Sequence, residues 1–343
     1  MRGFENTDGL SGTCIIAEVG LAHEGSLGQA IAYIDSLAAI GVDAVKFQCH
    51  LAEYESSKEE KFRVNVFPQD HKRQDYWSRT SFNVDEWKIL SDRCKEKGII
   101  FACTPFSLEA LDLLIQVNVD LVKIGSGEAV SSPNLIQKAF QTELPTLVSS
   151  GMSNFSEISS LVSDIKTKNH KAGIMQCTSS YPTPLEKVGL NILDDLKNSG
   201  VLCGLSDHSG KMSPSLYCIA NGFNFLEVHV CFDKRMFGPD TTSSLTLSMI
   251  EELVLFRDEL ETMQANIIDK DLVADQMDEM RTLFGRSLAL RKDYKKNEVL
   301  LAEDLILKKP GNGADYSMLP SLVGRRVKRD LPSDHFILDE DLE

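Results

Sequence analysis

Positive charge is scarce in this chain: 36 Lys and Arg stand against 51 Asp and Glu, a formal net charge of −15 over 343 residues. A broad grip on a phosphate backbone needs clustered cations, so nucleic acid is not expected as a partner. The deficit leaves room for a small anion, because one deep pocket with a few cations can oppose the net field. No apolar run approaches the ~20 residues of a membrane span, and the polar opening MRGFENTDGLSG has no signal-peptide core. A cytoplasmic protein away from membranes is therefore expected. No CxxC pair occurs among Cys14, Cys49, Cys94, Cys103, Cys177, Cys203, Cys218 and Cys231, and most lie in apolar runs such as IIFACTPF and GIMQCTS. Reduced thiols acting as small core residues are the expectation, not a disulfide framework. Solenoid repeats and low-complexity tracts are also missing.

The composition that remains is ordinarily globular, 42% hydrophobic and 25% charged. The length suits about two domains, or a barrel with an appendage. Short apolar runs at 14–20, 44–48, 99–106, 121–127, 146–151, 172–179, 202–210 and 225–231 alternate with segments of helical period. In LGQAIAYIDSLAAIG, for example, Ala30, Ile34, Leu37 and Ala38 share one face, and DEWKILSDRCKEKG closes on Gly98 as a C-cap. Eight strands alternating with helices predict an α/β fold, a closed (β/α)8 TIM barrel, with a doubly wound open sheet as the second choice. The segment 51–80, with Pro68, His71 and Trp77, is too long and polar for an ordinary connection and is expected to cover the barrel mouth. After residue 231 the texture changes to one long helix, a charged stretch, and then short strands and turns. The predicted division is a barrel over 1–265, a linker over 266–285 and a small β-rich domain over 286–343. A domain that small needs support from another surface.

Polar residues crowd the ends of the predicted strands, where a barrel places its active site. His208 and His229, in SDH and EVH, are one strand–helix–strand step apart, so both imidazoles can aim at one point. Two His with nearby carboxylates suit Mn, Fe, Co or Zn, against the plainer alternative of two satisfied core histidines. Lys46 and Lys123 lie within strands, where an ammonium needs an anionic partner, a Schiff-base role or an outlet to water. With Ser126, Ser149, Ser150 and Ser206 in range they suit a carboxylate and a phosphate; the alternative is internal pairing with Glu18 or Glu128. The glycine-containing exits GSGE and SSGM can bring backbone N–H groups to an anion, although such glycines more often just make a turn. His23 and Glu24 extend a carboxylate-rich rim after Glu18, and Tyr181, in YPTP, offers a platform for a sugar.

Taken together, AEVGLAHEG, VKFQCH, TPF, KIGSGE, SSGM, QCTSSYPTP, GLSDHSG, EVHV, GPD and KKPGNG resemble the sialic acid (N-acetylneuraminate) synthase family. The motifs follow the family's order over nearly the whole chain. The resemblance implies a TIM barrel joined to a C-terminal antifreeze-like (SAF) domain, in a domain-swapped homodimer where that domain caps the partner's barrel. It also implies condensation of phosphoenolpyruvate with an N-acylated mannosamine-type aldose, giving a nonulosonic acid and phosphate with a divalent metal, Mn first and Mg or Co as alternatives. By the same resemblance His208 and His229 are the metal ligands, and Lys46, Thr104, Lys123, Ser126, Ser150 and Ser206 hold phosphoenolpyruvate. Glu18, Gln48, Glu128, Tyr181 and Asp240 would face the reacting water and the sugar.

Three positions depart from that pattern. Ala22 stands where the family has Asn before His-Glu-Gly, Ser179 replaces an Asn, and Lys309 replaces the Arg that reaches the sugar's N-acyl group. Lys lacks the planar fork of Arg. All three fall on the sugar side, so legionaminic- or pseudaminic-type acids are alternative products. A Schiff-base aldolase using Lys123 and a non-catalytic sugar-binding protein on the same barrel are the remaining rivals.

Overall fold

The computed structural model of the protein describes residues 1–4, 12–61 and 70–343. They form two compact units, Met1–Ala265 and Asn266–Glu343. In the first unit eight parallel strands run in sequence order: β1 (Cys14–Gly20), β2 (Ala44–Cys49), β3 (Ile100–Pro105), β4 (Leu121–Ile124), β5 (Thr146–Ser149), β6 (Ala172–Cys177), β7 (Leu202–Asp207) and β8 (Phe225–Cys231). β1 pairs with both β2 and β8, which closes the sheet into the expected barrel and excludes the open alternative. A two-residue strand, β9 (Leu245–Thr246), continues beside β8.

The connecting helices are α1 (Leu27–Ile40), α2 (Ala52–Glu55), α3 (Arg73–Thr80), α4 (Val84–Lys97), α5 (Leu108–Gln116), α6 (Ser126–Ser131), α7 (Pro133–Gln141), α8 (Phe155–Lys168), α9 (Leu190–Asn198), α10 (Met212–Ala220) and α11 (Leu247–Ala265). Their limits follow local chemistry. Asn83 and Asn154 each open a helix with a reciprocal capping box to Glu86 and Glu157. Gly98 closes α4 at φ 70°, as the sequence suggests. Within 51–80 the chain forms α2 and α3, and Trp77 is buried; Pro68 lies outside the described residues. None of the described helices is long and apolar enough to cross a membrane.

Side chains alternate along each strand. Ile15, Ala17, Val45, Phe47, Phe101, Cys103, Leu226 and Val228 point outward and pack with the helices into the main core. Cys14, Ile16, Ala44, Ala102, Leu121, Leu147, Met175 and Phe225 form a separate apolar cluster. Gly204 belongs beside them for a steric reason: a Cβ there would sit 2.0 Å from the carbonyl oxygen of Phe225. All eight cysteines are free and buried.

The second unit begins with α12 (Lys270–Gln276) and α13 (Asp278–Phe284), so part of the segment read as a linker is helical. Two antiparallel strands follow, β10 (Ser287–Leu290) and β11 (Leu305–Lys308). Leu288, Leu290, Tyr294, Leu300, Leu322, Val327 and Ile337 make its own small core. The buried Asp341 joins Arg329 (2.7 Å), His335 (2.8 Å) and the Leu338 amide (3.0 Å), tying down the C-terminal turn.

Candidate active site

Two residues beyond the apolar layer, the same strands turn ionic. Ile16 is followed by Glu18, Ala44 by Lys46, Ala102 by Thr104, Leu121 by Lys123, Leu147 by Ser149, Gly204 by Ser206 and Phe225 by Glu227. All of these polar residues are buried, and all line a cavity of about 250 Å³. Lys46 Nζ lies 2.8 Å from Glu18 Oε2 and 3.7 Å from Glu227 Oε1, and donates to Thr104 Oγ1 at 3.0 Å. Lys123 Nζ donates to Ser149 Oγ at 2.6 Å and lies 3.4 Å from Glu227 Oε1. Ser206 donates to the same carboxylate oxygen at 2.9 Å.

Glu227 is thus the shared counter-ion of both lysines. Burial opposes its ionisation, yet the two ammonium groups hold its carboxyl below the ordinary range. Burial likewise works against the Lys46 charge, but Glu18 and Glu227 outweigh it and keep the ammonium above its usual value. Of the internal pairings weighed as the alternative to anion binding, Lys46 meets Glu18, while Lys123 meets Glu227 and not Glu128.

One more step along the strands brings a third ring of residues to the mouth. His208 and His229 have ring centroids 5.1 Å apart, and Tyr181 lies 4.3 Å from the first and 6.0 Å from the second. Burial, with His229 and Lys123 nearby, pushes His208 down to about 3, so its imidazole is neutral at neutral pH. Asp240 Oδ2 stands 3.9 Å from His229 Nδ1. Gln48 donates to Glu18 Oε1 at 2.8 Å. Ser126 and Glu128, at the start of α6, also line the cavity, and burial raises the Glu128 carboxyl above its ordinary value.

The remaining expected positions fall elsewhere. The Ser150 hydroxyl is buried against the Met175 carbonyl at 3.1 Å and does not line the cavity; Ser149 does. Asp240 borders an adjoining pocket with Phe237 and Gly238, which also touches His229. Lys309 belongs to the second unit, where its Nζ lies 5.0 Å from the ring of Phe284. His23 is not a rim residue. It is buried between Phe47 and Phe82, and its Nδ1 accepts the Gly25 amide at 3.1 Å.

Comparison with known proteins places this architecture. The NeuB family model matches residues 33–269, and the SAF domain model matches residues 285–343. The chain belongs to the NeuB family. Among curated NeuB relatives, the N,N'-diacetyllegionaminic acid synthase of Legionella pneumophila is 30% identical, covering 98% of this chain and 96% of that protein. The enzyme of the same name from Campylobacter jejuni is 29% identical over 95% of this chain and 98% of its own. Among solved structures, the N-acetylneuraminic acid synthetase of Leptospira borgpetersenii has a TM-score of 0.66 and 26% identity, over 80% of this chain and 93% of that one.

Three cavity residues of this NeuB-family chain escape a motif-based reading: Glu227 as counter-ion of the lysines, Arg73 and Cys177. Glu227 carries a signal in hindsight, since it stands at the same strand depth as a buried lysine. Cys177 Sγ lies 3.6 Å from Ser126 Oγ and 3.8 Å from His208 Nδ1, and burial raises its thiol. It is a neutral lining group, not a nucleophile.

The donor set can accept a divalent ion at the mouth. Two buried imidazoles lie side by side with centroids 5.1 Å apart, and Glu227 Oε2 is a buried carboxylate oxygen with no hydrogen-bond partner among the described residues. Mixed nitrogen and carboxylate donors suit Mn and its neighbours. Among the described residues no group of three or more His, Cys, Asp or Glu is arranged to hold a metal ion, so the histidine pair is the part of the donor set already assembled.

Proposed function

We propose that this chain condenses phosphoenolpyruvate with an N-acylated mannosamine-type aldose, giving a sialic acid or related nonulosonic acid and free phosphate. One observation carries this reading: two buried lysines, flanked by Thr104, Ser126, Ser149 and Ser206, face a cavity whose outer ring is a histidine pair with a tyrosine beside it. The inner layer suits the carboxylate and phosphate of phosphoenolpyruvate, and the outer ring suits a carbonyl and a sugar. Lys123, paired with Glu227 and bonded to Ser149, is better placed to bind an anion than to offer a free amine for a Schiff base.

In the reaction, C3 of phosphoenolpyruvate attacks the aldehyde carbon of the open-chain sugar. Cationic character develops at C2, water adds there, and the tetrahedral product loses phosphate by cleavage of the C2–O bond. Glu18, accepting from Gln48 and paired with Lys46, stabilises the cation at C2. Glu128, its carboxyl raised by burial, moves the proton of the attacking water. Lys46, Lys123, Thr104, Ser126 and Ser206 hold the anionic groups, and Tyr181 orients the sugar. His208 and His229 would hold Mn, with Mg or Co as substitutes, and when bound the ion supplies Lewis-acid polarisation of the aldehyde.

A legionaminic-type product is the second reading. It is favoured by Ala22, Ser179 and Lys309 on the sugar side, and by the names of the Legionella and Campylobacter relatives. We also place the protein in the cytoplasm as a homodimer in which the SAF domain caps the partner's barrel. Eight unpaired buried thiols support the first point. The second is supported by the strongly exposed Ile267, Leu272, Leu283 and Phe284, apolar surface of the kind that interfaces cover.

The test is phosphate release from phosphoenolpyruvate with a panel of 2-acetamido- and 2,4-diacetamido-hexoses, with and without Mn. Turnover with one of these sugars is expected, and mass spectrometry of the product separates the two readings. Mn binding, followed by electron paramagnetic resonance, should vanish in His208→Ala together with turnover. Metal-independent turnover retained in that variant would overturn the assignment of the histidines, and no release with any sugar would overturn the reaction.

A further inference from the structure

Beyond Gln48 the chain continues to His50, which is buried at the end of β2. Its ring is stacked between Trp77, with centroids 4.7 Å apart, and Phe106, at 4.0 Å. Its Nδ1 lies 2.7 Å from Glu55 Oε1 in α2, and its Nε2 lies 3.2 Å from Gln48 Oε1. Gln48 Nε2 in turn donates to Glu18 Oε1, and the other Glu18 oxygen meets Lys46. A continuous chain of polar contacts therefore runs from Glu55 through His50, Gln48 and Glu18 to Lys46.

Donor and acceptor counting fixes the polarity of this chain. Glu18, ionised against Lys46, can only accept, so Gln48 must turn its –NH2 toward it. The Gln48 carbonyl then faces His50, and Nε2 must carry a hydrogen. On the far side Nδ1 and Glu55 Oε1, 2.7 Å apart, share a hydrogen bond that holds the ring between its two aromatic neighbours. Burial disfavours the charged imidazole, and the bond to Glu55 works against that effect.

We propose that His50, held by Glu55, is a positioning residue: it sets the direction of the Gln48 amide and thereby keeps Glu18 an acceptor aimed at Lys46 and the cavity. This rests on the role given to Glu18 under the proposed function. The chemical part can be tested without turnover, by nitrogen NMR of the full-length protein labelled in its histidines. His50 Nε2 is expected to be protonated near neutral pH in wild type and in Glu55→Gln, whose amide can still donate to Nδ1. In Glu55→Ala that preference should weaken. An unprotonated Nε2 in wild type would overturn the proposal whether or not the enzyme turns over.

Kinetics supply the second arm. His50→Phe keeps the aromatic stack but has no N–H to offer. It is expected to melt within a few degrees of wild type, as followed by circular dichroism. Its kcat should fall about 10- to 100-fold, the same order as the loss of an outer-shell partner behind a metal ligand, with the KM for phosphoenolpyruvate nearly unchanged. Glu55→Gln should retain kcat within a few-fold. An unchanged kcat in His50→Phe, or a loss seen only as raised KM, would overturn the positioning role. Failure of wild type with every acceptor would instead count against the proposed function and leave the NMR result standing.

Discussion

Inside the barrel, two layers of side chains lie two residues apart on the same strands and have opposite chemistry. In the lower layer Ile16, Ala44, Leu121, Leu147 and Phe225 exclude water. In the upper layer Glu18, Lys46, Lys123 and Glu227 carry the charge, with Ser149 accepting from Lys123. The lower layer acts as a dry, stiff floor. The upper one puts two ammonium groups and two carboxylates where screening is weak, so each pairing is strong and each unpaired charge is costly. One sets the conditions and the other does the chemistry.

The largest expected effect comes from removing the charge that both lysines share. Glu227→Ala should cost about 3–5 kcal/mol of stability, because it leaves buried ammonium charge uncompensated. Turnover should be lost as well. Urea denaturation and phosphate release measure the two losses separately, and a variant as stable as wild type would show that the lysines find other partners or lose their protons.

The lower layer should respond differently to an equally severe cut. Phe225→Ala is expected to cost about 3–5 kcal/mol through the lost burial and the cavity left behind. Activity per folded molecule should stay within a few-fold at temperatures well below the melting point. A selective collapse of kcat in this variant would erase the division between floor and reaction chamber.

The effect that is smallest at neutral pH concerns a titratable group in apolar surroundings outside the ionic layer. Burial pushes His23 down to about 3, whereas an unfolded chain protonates it near 6.5. As pH falls below 6.5 the unfolded state takes the proton first. Stability is then lost at about 1.4 kcal/mol per pH unit, down toward pH 3, and is fully present above 6.5. His23→Phe should flatten the acid dependence of the urea midpoint by about one proton. An unchanged slope would mean that His23 is protonated in the fold.

Much of the fold was legible because it rests on local signals. Apolar runs of strand length alternate with helical periods, and Asn83, Asn154 and Gly98 mark helix limits by capping chemistry that acts within a few residues. Lys46, Lys123, His208 and His229 were legible because charged or imidazole groups in apolar strands are costly and need a reason. Glu227 was harder to see. It reads as an ordinary strand-end carboxylate until the register Ser206↔Glu227 and the closure of β1 on β8 bring it between two lysines. Ser150 and Ser149 show the same limit, since only the strand's depth and twist decide which of two adjacent hydroxyls faces inward. His50 and Glu55 are five residues apart in sequence, yet the aromatic pair enclosing the imidazole comes from Trp77 and Phe106, farther along the chain.

The sequence by itself determined the eight-fold alternation, the small terminal domain and the kinds of side chain available to the site, because propensity, capping and period act over a few residues. The tertiary structure alone decided who pairs with whom. Lys123 meets Glu227 across 104 positions and Lys46 meets Thr104 across 58. Those encounters depend on strand register and barrel closure, properties of the whole sheet that no local segment carries.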